Sequence, residues 1–285
     1  MRMSISIRVI DYRSPTAGVE FAAGLKEIGF AVISHHPVSQ DLIDQAYQIW
    51  YAFFKSDEKN NPEYTFSPKT HDGYISTELS ETAKGYGVKD LKEFYHYYQN
   101  GRCPKSCLTV TEKMATALKA MAATLLQWVD ENAPADVRAK FSMPLPEMIK
   151  NSSNTLFRLI HYPPLTGNEP AGAIRAAAHE DINLLTLLPA ATVSGLQVKD
   201  VGENWIDVPI NPNWIIVNAG DMLQECSGHY YQSTSHRVLN PTGEDAKKSR
   251  LSMPLFLHPR DEVVLSARHT RASYYEERMR ELGLL

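Results

Sequence analysis

The chain has 285 residues, 43% hydrophobic and 22% charged, with a formal net charge of -4. This is ordinary globular usage, long enough for one large core or two small ones. Basic residues cluster no further than short pairs such as Lys247-Lys248, and no apolar run approaches the roughly 18 residues of a membrane span, which sets aside nucleic acid and membranes and favours a small-molecule partner. Cys103, Cys107 and Cys226 are an odd number of thiols in a chain that needs no disulfide staples, which points to a reducing compartment. The opening MRMSISIRVIDY has no apolar leader, so the expected location is the cytoplasm.

In chain order, Ile5, Ile7 and Val9 alternate with Ser6 and Arg8, the period of a half-buried strand ending near Asp11. Phe21, Leu25 and Ile28 recur at helical spacing, and Gly29 closes that helix before an apolar strand over Phe30 to Ile33. Ser39 is a good N-cap, Asp41 suits the first turn, and Leu42, Ala46, Ile49, Trp50 and Phe53 form the apolar stripe of a second helix. From Asn60 to about Gly87 no period persists, as in a lid or binding loop. Asp90 to Tyr98 is dense in aromatics, Phe94 among them, which either wall a pocket or fill a core. Thr111 is the predicted cap of a helix running to about Asn132, and a loop at Pro144 and Pro146 ends this helical half.

After residue 150 the texture changes to short β-type runs separated by Gly, Pro and Asn: Thr155 to Tyr162, Asn183 to Leu188, Gly195 to Lys199, Asn204 to Val208, Trp214 to Asn218, Ser235 to Leu239 and Leu251 to His258. That spacing predicts an all-β sandwich or barrel rather than βαβ units. Ser273 to Leu285 is again helical in composition. The expected organisation is an N-terminal helical and strand region over 1–150, a β core over 151–270 and a C-terminal helix over 271–285, all one structural unit.

Chemistry concentrates in the β half. In the segment AAAHEDINLLTLL, Ala176 to Leu188, an extended backbone would project His179 and Asp181 from one face and turn Glu180 away. With His236 from a distant strand the pair would become a facial set of two imidazoles and one carboxylate, a metal site open to iron, zinc or manganese. In RLSMPLFLH, Arg250, Ser252, Pro254, Phe256 and His258 share one face, and Leu251, Met253, Leu255 and Leu257 share the other. A guanidinium two residues from a hydroxyl, placed inside a barrel, is a buried positive site that requires an anion. Tyr162 either adds a hydrogen bond there or makes one in the core. An acid such as 2-oxoglutarate would satisfy both ends, chelating metal with its keto acid and reaching Arg250 with its far carboxylate. Arg175 is a candidate for an anionic substrate, and Phe94, Phe256 and His258 for its pocket, against the plainer readings of a loop arginine and core side chains.

These segments resemble the iron(II) and 2-oxoglutarate-dependent oxygenases of the isopenicillin N synthase-like group. The matching text is Arg158-Leu159 with His161-Tyr162-Pro163-Pro164, AHEDINLLTLL, Gly195 to Val198, Trp205 to Pro209, Val217 to Gln224, Ser233 to Val238 and RLSMPLF; in the first half it includes VIDY, GFAVISHHPV and Phe53-Phe54. Glu180 stands where many relatives have Thr or Ser, Ile160 replaces the Asn of Asn-x-Tyr, and Ser227-Gly228-His229 replaces an Asn-Gly turn. The resemblance implies a double-stranded β-helix, or jelly roll, core that is mainly β with flanking helices. It implies Fe(2+) on His179, Asp181 and His236, with 2-oxoglutarate on Arg250, Ser252 and Tyr162. The implied reaction uses O2 to oxidise, by default hydroxylate, a C–H bond of a small molecule with release of succinate and CO2. Ascorbate is a possible reductant, and a monomer or weak dimer is expected. Two alternatives stay open: an oxidase that uses no keto acid, and a non-catalytic jelly-roll binding protein.

Overall fold

In the computed structural model, which describes residues 7–80 and 87–281, strands from both halves of the chain combine into two sheets. The elements of the first half are β1 (Arg8–Asp11), α1 (Ala17–Ile28), β2 (Phe30–Ser34), α2 (Gln40–Lys55), β3 (Gly73–Ile75), β4 (Glu93–Tyr98), α3 (Leu108–Asn132), α4 (Ala135–Arg138) and α5 (Leu145–Ile149). The second half supplies β5 (Leu156–Tyr162), β6 (Ala176–His179), β7 (Leu185–Pro189), β8 (Leu196–Lys199), β9 (Trp205–Asp207), β10 (Ile215–Ala219), α6 (Asp221–Cys226), β11 (His236–Val238), β12 (Arg250–Ser252), β13 (Leu255–Leu257) and α7 (Arg271–Glu281).

The larger sheet runs β1-β2-β10-β7-β13-β5-β4-β3, with β12 pairing β5 as well, and the smaller runs β6-β11-β8-β9. Period-2 alternation divides the larger sheet into two faces. Ala31, Ile33, Leu185, Leu187, Ile215, Val217, Leu251 and Leu255 pack in one cluster with α1, α2 and α3, whose Phe21, Trp50 and Leu118 are fully buried. Phe30, Val32, Phe94, Ile160, Tyr162, Leu188 and Ile216 point the other way and meet Leu196, Val198 and Val238 of the smaller sheet. The result is a jelly-roll core, mainly β with flanking helices, and the layer between its sheets is where the polar residues of interest are buried.

Several local expectations shift. Ile5 lies outside the described residues; Ile7 faces the inter-sheet layer, whereas Val9, farther along the edge strand β1, is 46% exposed and Ile10 is buried under the helices. Thr111 is no cap, because α3 begins after Cys107; its buried hydroxyl instead bonds Cys107 O at 2.8 Å and accepts from Trp50 Nε1 at 3.0 Å. The aromatic stretch at Asp90 to Tyr98 contains β4, paired along its length with β5. The segment around Asn60 to Gly87, read as wholly irregular, contains the short strand β3.

Candidate active site

β6 and β11 are antiparallel neighbours in which His179 and His236 lie directly opposite each other. Their ring centroids are 4.4 Å apart. Asp181 stands two residues beyond His179, past the end of β6, and turns back, so that one ligand atom from each of the three residues falls within a 4.8 Å cluster. The convergence read from an extended His-x-Asp is therefore achieved by a strand end and a turn.

Each group is oriented from behind. His179 Nδ1 donates to Ala177 O at 2.8 Å and His236 Nδ1 to Thr234 O at 3.1 Å, which fixes the Nδ1-H tautomer and leaves each Nε2 lone pair facing the centre. Asp181 Oδ2 accepts from the Thr186 hydroxyl and, at 2.8 Å, from Asn218 Nδ2. Its Oδ1 faces His179 Nε2 at 3.9 Å and His236 Nε2 at 3.7 Å. Burial and then the adjacent His236 push the His179 imidazole down to about 4, so it is neutral at physiological pH. Burial opposes ionisation of Asp181, but His236, His179, Asn218 and Thr186 outweigh it and hold the carboxyl below its ordinary value. Two imidazoles and one carboxylate in a facial set suit a borderline divalent metal such as iron(II).

The other end of the site is cationic. Arg250 and Tyr162 are cross-strand partners, and the guanidinium carbon of Arg250 lies 4.9 Å from the Tyr162 ring centroid. Arg250 is 1% exposed; its Nε donates to Val193 O at 2.9 Å and its Nη1 has no hydrogen-bond partner. Ser252, buried, pairs with Ile160, which fills the apolar layer beside Phe94. A buried guanidinium with an orphaned N–H is costly unless an acid meets it, so this end fits the carboxylate of a keto acid as the donor set at the other end fits the metal.

Of the substrate candidates, Phe94 is buried in the inter-sheet layer and Phe256 is partly exposed, with the Arg158 guanidinium carbon 4.8 Å and 5.4 Å from their ring centroids. His258 is buried, its Nδ1 lacks a partner, and its ring meets Tyr275 of α7 edge-on at 6.0 Å. Arg175 is fully buried beside Tyr162 rather than in a solvated loop. Glu180 is exposed. Thr186, Asn218 and Gly220 join the site without having been singled out from the sequence. Gly220 sits where a Cβ would meet Asn183 and, at 2.7 Å, Asp181 O. The sequence signal for these three is the runs INLLTLL and VNAGD, without a contact to connect them.

Facial His-Asp-His ligands inside a jelly roll, opposite a buried arginine, define a non-haem metal oxygenase site. The family model of the 2OG-Fe(II) oxygenase superfamily matches residues 153–259, and that of the non-haem dioxygenase N-terminal region, described from morphine synthesis, matches 7–114. A solved Shewanella oneidensis structure described as a "Putative oxygenase" is 49% identical, covering 99% of this chain and 100% of that one with a TM-score of 0.88. Jasmonate-induced oxygenase 3 of Arabidopsis thaliana is 29% identical over 86% of this chain and 67% of its own length. A full-length Neurospora crassa protein solved in complex with alpha-KG shares the fold at 21% identity, with a TM-score of 0.81 and 98% of each chain covered. The chain belongs to the 2OG-Fe(II) oxygenase superfamily. Its cosubstrates are accordingly 2-oxoglutarate and O2, and its metal is iron(II).

Proposed function

We propose that the protein hydroxylates a C–H bond of a small organic molecule, with His179, Asp181 and His236 holding the metal and Arg250, Ser252 and Tyr162 holding 2-oxoglutarate. The observation that carries this reading is the pairing of the His-Asp-His cluster with a buried guanidinium whose Nη1 has no partner in the same inter-sheet layer. Bound iron(II) supplies the redox chemistry by which O2 oxidises the keto acid to succinate and CO2 and places the second oxygen atom on the substrate carbon. The chain supplies position and a dry surround. Hydrogen bonds from the two histidines to Ala177 O and Thr234 O, and from Thr186 and Asn218 to Asp181, hold the three ligands ready, so little reorganisation accompanies binding. Phe30 packs edge-on against His236 at 5.5 Å and shields that side from water.

The substrate wall reads as flat and aromatic with two cations, from Phe256, Phe94, His258, the intervening Arg158 and Lys92, whose Nζ lies 5.8 Å from the Phe94 ring centroid, which suits a small planar or carbonyl-bearing molecule. The name of one relative, Gibberellin 2-beta-dioxygenase from Phaseolus coccineus, is in keeping with dioxygenase chemistry on a small molecule. A cytoplasmic monomer or weak dimer without nucleic-acid or membrane partners completes the reading. Its support is the set of free cysteines, the net charge of -4 and, among the described residues, the lack of any helix long and apolar enough to cross a membrane.

The test is anaerobic addition of 2-oxoglutarate to the iron(II) protein. A weak visible charge-transfer band is expected, followed on admitting O2 by succinate release that a substrate panel stimulates. His236→Ala should abolish both, and a wild-type protein without the band overturns the reading.

A further inference from the structure

Arg175 is 0% exposed, an unusual state for a guanidinium. Its Nη2 donates to Lys248 O at 2.9 Å, but its Nε and Nη1 are buried without a partner. Its guanidinium carbon lies 5.9 Å from the Tyr162 ring centroid, the ring that Arg250 approaches to 4.9 Å. The two chain segments that hold these arginines are tied together: Arg175 is fastened to the carbonyl of Lys248, two residues before Arg250. Among the described residues neither guanidinium forms an ion pair with a carboxylate, so two buried cations with three orphaned nitrogen atoms share one aromatic ring. Burial, and after it the neighbouring charge of Arg250, pushes the Arg175 guanidinium down to about 10. A single carboxylate with two oxygens could accept from both.

We propose that Arg175 is a second guanidinium for the far carboxylate of 2-oxoglutarate, which is then held between Arg250 and Arg175 beside Tyr162 instead of by one arginine alone. The proposal rests on the 2-oxoglutarate reading above and narrows it: the pocket selects for a keto acid with a distal carboxylate. It also moves Arg175 from the substrate side of the site to the cosubstrate side.

The test compares binding of 2-oxoglutarate and of 2-oxopentanoate, a keto acid of the same chain length without the distal carboxylate, to the anaerobic iron(II) protein by calorimetry. Arg175→Met is expected to weaken 2-oxoglutarate roughly 10- to 100-fold and to leave 2-oxopentanoate within about 3-fold, with Arg175→Lys recovering part of the loss. Arg175→Gln, which keeps a donor for Lys248 O, should reduce the ratio of the two affinities in the same direction and serves if the Met variant does not fold. An unchanged ratio in the folded Met or Gln variant, whether both acids weaken equally or neither does, overturns the proposal. A wild-type protein that binds neither acid overturns the cosubstrate reading itself, a separate result.

Discussion

At Asp181 the two carboxylate oxygens have separate tasks: Oδ2 is consumed by Thr186 and Asn218, and Oδ1 is left for the centre. Asn218→Ala should therefore loosen the carboxylate and lower metal affinity about 10- to 100-fold while leaving all three ligands in place. Titration with Co(II) in place of iron(II) measures it; an affinity equal to wild type would remove Asn218 from the support. His258 offers a pH test. Burial, followed by the charge of Arg271, pushes its imidazole down to about 3 from an ordinary 6.5. The unfolded chain binds this proton below pH 6.5 and the folded chain does not, so the stability contributed by neutral His258 is complete above that pH and is lost as pH falls toward 3. The expected slope from this group is about 1.4 kcal/mol per pH unit in that window. Denaturant titrations of metal-free wild type and His258→Asn between pH 7 and 4 should diverge by that slope, and parallel curves would refute it.

At the level of elements, the link between β10 and α6 forms the floor of the metal loop. Gly220 N donates to Leu184 O at 3.1 Å and Asp221 N to Asp181 O at 2.7 Å, so the residues around Gly220 clamp the turn that carries Asp181. Gly220→Ala adds a Cβ against backbone oxygens that cannot swing aside, and should cost about 1–3 kcal/mol of stability together with a weaker metal site. Chemical denaturation alongside metal titration reads both; a fully stable, normally binding variant would show that the loop yields. Gly29 has a related place behind the second histidine: at φ 72 it ends α1, and a Cβ there would meet Gln232 O and, at 2.5 Å, Thr234 Oγ1. β4 shows why elements are lost to sequence reading. EFYHYY is buried on both faces for five of its six residues, so no polar half of the alternation remains to reveal a strand.

For the whole molecule, the boundary near residue 150 is a change of texture, and the larger sheet crosses it. β2 pairs with β10, and β4 pairs with β5, so first-half strands cover edges of second-half strands. A fragment starting at residue 151 would bare those edges and the apolar face that Phe21, Trp50 and Leu118 now cover. It is expected to aggregate or remain unfolded, judged by near-ultraviolet circular dichroism and size-exclusion chromatography. A monomeric fragment with fixed side-chain signals would contradict this.

The sequence by itself determined the candidate trio His179, Asp181 and His236, the candidate Arg250 and the core face of RLSMPLFLH, because each is a choice of residue type at a spacing that a strand or turn converts into direction. It also determined the β architecture of the second half, where short apolar runs end at Gly, Pro and Asn. Only the tertiary structure decided which residues stand behind those groups. Thr186 and Asn218 act on Asp181 across a tight turn and from a different chain segment, and composition carries no mark of them. The same holds for Arg175, whose sequence surroundings are those of a loop: the folded chain removes it from water and sets it across one tyrosine ring from Arg250, and burial converts an ordinary side chain into an unanswered charge.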